Sequence, residues 1–91
     1  MGVALIKLKI MPKSPDTDLE AIKQQGKQKI ETQGAEITKF EEQPIAFGLK
    51  ALIAYIRVDE SKSNTDFIEN SFTELGDVNS AEIIDYRRSL A

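Results

Sequence analysis

Neither cysteine nor histidine occurs in the 91 residues, and tryptophan is missing too. Their absence removes disulfide frameworks, thiol nucleophiles, Ser-His-Asp triads and zinc sites built on nitrogen or sulfur ligands. Positive charge is also in short supply. Twelve Lys and Arg stand against fifteen Asp and Glu, a formal net charge of −3. A generic binder of phosphate backbones would carry a basic stripe and a high pI, so no direct nucleic-acid partner is expected. No apolar run approaches the roughly 18–20 residues that cross a bilayer. Met1-Gly2-Val3 opens into a strand-like pattern and not a secretory leader. The expectation is a cytoplasmic protein with no membrane partner, no metal and no cofactor.

What is present is ordinary for a globular chain: 41% apolar and 30% charged residues. The length predicts one domain over residues 1–91. At this size only about 60–70% of the unfolded surface is buried on folding, so core packing is the first explanation for any large apolar side chain.

The pattern along the chain alternates between two periods. From Val3 to Met11, Ala4, Ile6, Leu8 and Ile10 share one face and Lys7 and Lys9 the other, the period of a half-buried strand. After Pro12 and Pro15, Asp16-Thr17-Asp18-Leu19-Glu20 reads as a helix start with capping-box spacing from Thr17 to Glu20. Leu19, Ile22, Gly26 and Ile30 form a helical stripe reaching about Gln33, with Gly34 as the stop. Ala35 to Glu42 reads as a second strand, where Ile37 and Phe40 break strict alternation and predict a bulge.

The chain then repeats. A shift of 48 residues lays Ile6, Leu8 and Ile10 on Ala54, Ile56 and Val58, and Thr17-Asp18 on Thr65-Asp66. Leu52 to Val58 is a third strand. Asn64-Thr65-Asp66 caps a helix that turns Phe67, Ile68, Ser71, Phe72 and Leu75 inward and ends at Gly76, and Val78 to about Arg87 is a fourth strand. The order βαββαβ predicts an α+β, ferredoxin-like split βαβ fold: a four-stranded antiparallel sheet with two helices on one face. The open face then carries Val3, Leu5, Lys7 and Lys9 beside Ile53, Tyr55 and Arg57, a partly apolar mixture that is either solvated or a contact surface, with solvation the first reading.

One segment departs from this economy. Between the second and third strands, Gln43-Pro44-Ile45-Ala46-Phe47-Gly48-Leu49-Lys50 holds turn-forming Pro44 and Gly48 together with apolar Ile45 and Phe47. Two readings stand. Phe47 folds back over the end of the core, or it is an aromatic anchor held out to a partner.

These residues resemble the signature of the translation elongation factor 1-beta family, the guanine-nucleotide exchange factors of elongation factor 1-alpha. Its eukaryotic members carry a Gly-aromatic-Gly-Ile-Lys-Lys-Leu run at this place. Thr17-Asp18-Leu19, Thr65-Asp66 and the ending Asp85-Tyr86-Arg87-Arg88 also match, and the size is similar to the archaeal single-domain form. The resemblance implies a non-enzymatic exchange domain that promotes GDP release and GTP reloading on elongation factor 1-alpha. By position it implies that Phe47 is the aromatic wedged into the partner, with Pro44, Ile45, Ala46, Gly48 and Lys50 around it. Ala46 stands where the family has its first glycine, and Ala51 where it has its second lysine. The lysine-bearing eukaryotic tail has no match. Arg87 and Arg88 stand near that end, either as substitutes in charge or as a solvated strand end.

Two other classes share the fold. RNA-recognition motifs need a basic residue and several aromatics on the open sheet face, where this chain offers only Tyr55. Small-molecule-sensing regulatory domains usually have glycine-rich loops between strand and helix, and Lys13-Ser14-Pro15 and Glu60-Ser61-Lys62-Ser63 contain none. Paired carboxylates in Glu41-Glu42 point to opposite faces of a strand, which argues against acid–base catalysis. Lys23, Lys27 and Lys29 read as a solvated helix face.

Overall fold

The elements follow from the two periodicities. A computed structural model describes residues 2–59 and 65–90. In chain order they form β1 (Gly2–Pro12), α1 (Leu19–Thr32), β2 (Glu36–Pro44), β3 (Lys50–Asp59), α2 (Thr65–Thr73) and β4 (Val78–Leu90). The sheet order is β2-β3-β1-β4, with every neighbouring pair antiparallel. Each βαβ unit therefore skips one strand of the other, and the chain has the ferredoxin-like α+β architecture.

Alternation in the central strands supplies the sheet's half of the core. Ala4, Ile6, Leu8 and Ile10 of β1 lie in register with Val58, Ile56, Ala54 and Leu52 of β3, and all eight are buried. The helices cover this face with Ile22 and Ile30 from α1 and Ile68 and Phe72 from α2. Gly26 is a close-approach position: a Cβ there would lie 2.8 Å from Cδ1 of Phe72 and nearer still to Cε1 and Cζ. Phe72 fills the space that the missing side chain leaves between the helices.

Two local expectations need correction and two are met. The cap of α1 is Asp18, not Thr17: the Asp18 carboxylate accepts from the N–H groups of Glu20 (3.0 Å) and Ala21 (3.3 Å). Thr17 instead accepts from Ser14 N–H at 3.2 Å, which draws its hydroxyl into the preceding loop. The second helix closes at Thr73, short of Gly76, and Asn64, expected as its cap, lies outside the described residues. Gly34 follows α1 at φ 89° as its stop. The β2 bulge is present, with a register shift between Ile37 and Lys39.

The open face is less uniformly wet than expected. Leu5 is exposed, but Ile53 is only 6% exposed, with Lys9 and Glu41 as its in-register neighbours. Long polar side chains cover apolar surface with their stems while keeping their heads in water. The Tyr55 ring lies between two ammonium groups, Lys39 at 4.5 Å and Lys7 at 5.4 Å from its centroid. Burial, and next a hydrogen bond to Glu41, raise the Tyr55 phenol above its usual range.

Candidate functional site

The ends of β2 and β3 project a hairpin beyond the core. Pro44 closes β2 opposite Lys50, and its nitrogen has no hydrogen to donate. Ile45 N–H then donates to Leu49 O (2.9 Å), and Leu49 N–H donates to Ala46 O (2.9 Å). The two residues inside this last bond, Phe47 at φ 55° and Gly48 at φ 77°, both have positive φ. That is the signature of a type I′ turn, whose twist matches the flanking strands. Phe47 is the only non-glycine residue with positive φ among those described. The residue is 96% exposed.

This excludes the first reading of the turn. Phe47 does not fold back over the core; it stands at the tip. Asn or Asp with Gly is the usual choice for such a turn, so a large aromatic there costs about 1–2 kcal/mol of backbone strain without any burial in return.

The hairpin is buttressed from one side. A cleft of about 310 Å³ separates it from the β1–α1 loop, with Gly48 and Lys50 on one wall and Pro12, Pro15 and Asp18 on the other. A Cβ at Gly48 would meet Pro15 Cβ at 3.7 Å, so the loop proline stands against the turn. Charges tie the floor together. Glu42 reaches Lys23 of α1 (3.4 Å) and Lys50 (3.9 Å), and Lys23 also holds Glu20 (3.0 Å). The hydrogen bond to Glu20 is the main reason that the Lys23 ammonium is held above its usual range. Lys23 and Lys29, read as solvated, are both paired, Lys29 with Glu74 at 2.9 Å. The cleft and this chain of pairs went unseen in the sequence, because they join residues brought together only by the crossover of α1 over the sheet.

Pro44, Ile45, Ala46, Phe47, Gly48 and Lys50 are gathered in this one projection. Arg87 and Arg88 are not. They pair with Leu5 and Ala4, at the rung of Arg57 and Val58. From Arg57 to Lys50 is roughly 24 Å of strand at about 3.4 Å per residue, with the hairpin beyond that. The two groups therefore lie toward opposite ends of the sheet. Glu41 and Glu42 point to opposite faces as expected, since Glu41 is level with Ile53 and Glu42 with Leu52. Lys39, at 2.9 Å, and then Tyr55 hold the Glu41 carboxyl below the usual range. Among the described residues no three acidic side chains converge to hold a metal ion, and no helix is long and apolar enough to cross a membrane.

Comparison with known proteins identifies this architecture. Residues 5–88, which include the hairpin and both arginines, match the EF-1 guanine nucleotide exchange domain family. The chain belongs to that family. It is 40% identical over 88 residues to elongation factor 1-beta of Methanothermobacter thermautotrophicus and 44% identical over 88 residues to that of Methanobrevibacter smithii, covering 97% of this chain and 98% of each relative. Elongation factor 1-beta of Methanocaldococcus jannaschii is 36% identical over 85 residues, 93% of this chain and 96% of its own. In this elongation factor 1-beta relative, an exchange function needs no dry pocket for covalent chemistry. It needs a surface that another protein can recognise.

Proposed function

We propose that this chain accelerates GDP release, and so GTP reloading, on elongation factor 1-alpha, with the Phe47 hairpin as its principal contact. The observation that carries the reading is an aromatic residue almost wholly exposed at the tip of a positive-φ turn. An exchange factor forms and breaks no covalent bond. It binds the nucleotide-free GTPase more tightly than the GDP-loaded one, and by reciprocity GDP weakens the factor as much as the factor weakens GDP. A thousandfold faster release requires about 4 kcal/mol of differential stabilisation. A buried aromatic anchor flanked by a few charged contacts is of that order.

The turn supplies preorganisation. Its two backbone hydrogen bonds and paired positive-φ residues fix the direction of the ring before contact, which lowers the entropy lost on binding. Ile45 and Ala46 extend the apolar tip, and Lys50 sets a positive charge at its base. Arg87 and Arg88 form a second patch at the other end of the sheet, so the factor meets its partner at two separated places and not at one.

Release of a fluorescent GDP from elongation factor 1-alpha tests this. The native chain should accelerate release, and Phe47→Ala should remove most of the acceleration without changing the circular dichroism. Arg87→Ala with Arg88→Ala should slow exchange less. An unaltered rate in Phe47→Ala defeats the assignment of the hairpin.

A further inference from the structure

The hairpin outruns the sheet that supports it. The last rung shared by three strands is Ile10 of β1, Leu52 of β3 and Glu42 of β2. Beyond it, Ala51 and Lys50 of β3 pair with Gln43 and Pro44 of β2 and with nothing in β1. A two-stranded ribbon twists more freely than a sheet and has little stability of its own. Hydrogen bonds within the turn fix the ring relative to the ribbon; the angle of the ribbon to the core is a separate matter. At about 3.4 Å per residue the tip is roughly 14 Å past Glu42, so a tilt of about 10° there moves it by about 2 Å. The cleft of about 310 Å³ beside the ribbon is room for that swing.

One polar link crosses from the ribbon to α1. Glu42 is level with Leu52, which is wholly buried beneath the helices, so the Glu42 side chain also points to the helix side. There its Oε2 lies 3.4 Å from Lys23 Nζ. Among the described residues no other hydrogen bond or ion pair joins residues 41–50 to residues 13–33. Lys23 is itself held, 3.0 Å from Glu20 one turn earlier on the same helix. The second Glu42 oxygen, Oε1, lies 3.9 Å from Lys50 on the facing strand. Glu42 thus ties both strands of the ribbon to α1, at the rung where the sheet stops supporting them. Pro15 does not do this. A methyl group added at Gly48 would reach only ordinary contact with it, 3.7 Å, so the loop is a stop for the turn and not a tie.

We propose that Glu42 and Lys23 are positioning residues for exchange: their ion pair is a strut from α1 to the root of the hairpin that aims Phe47 at the GTPase. The role rests on the hairpin being the contact surface, as proposed above. Neither side chain has to touch the partner. Without the strut the ribbon samples a range of tilts, and ordering it adds to the free energy lost on binding. That loss is felt alike at every stage of the complex, so it shows in the concentration of factor required and not in the rate at saturation. A lone exposed pair contributes little, but Glu20, Lys23, Glu42 and Lys50 are linked in one network.

Glu42→Ala and Lys23→Met, singly and together, test this in GDP release from elongation factor 1-alpha and in the amide residual dipolar couplings of the free chain. Each single variant should raise the factor concentration for half-maximal release about threefold to fivefold, with the saturating rate unchanged. The double variant should be no worse than either, because both remove the same pair. Lys23→Arg, which keeps charge and reach, should behave as the native chain. In both single variants the couplings of Phe47, Gly48 and Leu49 should shrink while those of β1 and β3 hold. Losses that add in the double variant would mean two independent contacts and overturn the strut. Turn couplings that stay the same, or an unmoved half-maximal concentration, overturn it as well. Unaltered exchange in Phe47→Ala defeats the hairpin reading instead, and the couplings, which need no partner, still decide whether the strut orders the ribbon.

Discussion

Replacing Phe47 by glycine separates the cost of the turn from its use. At φ 55° the Phe47 backbone is in a region that costs an L-residue about 1–2 kcal/mol and glycine almost nothing. Glycine also enlarges the unfolded ensemble, which offsets roughly 0.4–1 kcal/mol of that gain. The ring contributes little in the other direction, since the residue is 96% exposed and removal of the ring opens no cavity. Phe47→Gly should therefore leave the fold between unchanged and about 1 kcal/mol more stable. For a domain of this length that is a rise in Tm of up to about 4–8 °C. Phe47→Ala keeps the strain and should leave Tm unmoved. Both variants should lose most exchange activity. Thermal unfolding followed by circular dichroism, run beside release of fluorescent GDP, reads both quantities. A Phe47→Gly protein less stable than the parent by 1 kcal/mol or more would show that the ring is holding the fold together, and the account of the hairpin would be wrong.

Three further outcomes follow from the fold. Gly26→Ala should destabilise by about 1–3 kcal/mol in urea unfolding, because the new methyl group meets the Phe72 ring; adding Phe72→Leu should recover part of the loss, a non-additivity that distant sites do not show. Asp18→Ala should cost about 1 kcal/mol through the lost cap, and Thr17→Ala clearly less, which the same melts distinguish. Stability should form a plateau between about pH 5.5 and about pH 9.5, since no histidine is present to titrate there. Glu41, held below its reference of 4.5 by Lys39, contributes stability that is present above that value and lost as pH falls beneath it. Lys23 and Lys39, held above 10.5 by their glutamates, contribute stability that is present below that value and lost as pH rises past it. Chemical denaturation across the pH range checks both flanks, and a step near pH 6–7 would contradict the assignment.

The division between sequence and tertiary structure can be drawn residue by residue. Period-2 alternation in β1 and β3 and the stripes Ile22-Gly26-Ile30 and Ile68-Phe72 were enough to place the core and the βαββαβ order, because burial of one face is imposed by local geometry on any chain with that pattern. The bulge near Thr38 and the stop at Gly34 were legible for the same reason. Even the identity of the turn was written in Pro44 to Lys50. Its direction was not. Whether Phe47 covers the core or leaves it depends on the backbone torsions of the turn, φ 55° at Phe47 and φ 77° at Gly48, which residue types alone do not fix. The cleft, the Lys23–Glu42–Lys50 chain and the separation of Arg87 and Arg88 from the hairpin join residues far apart in sequence. Such distances are a property of strand order and register, which one-dimensional periodicity does not contain.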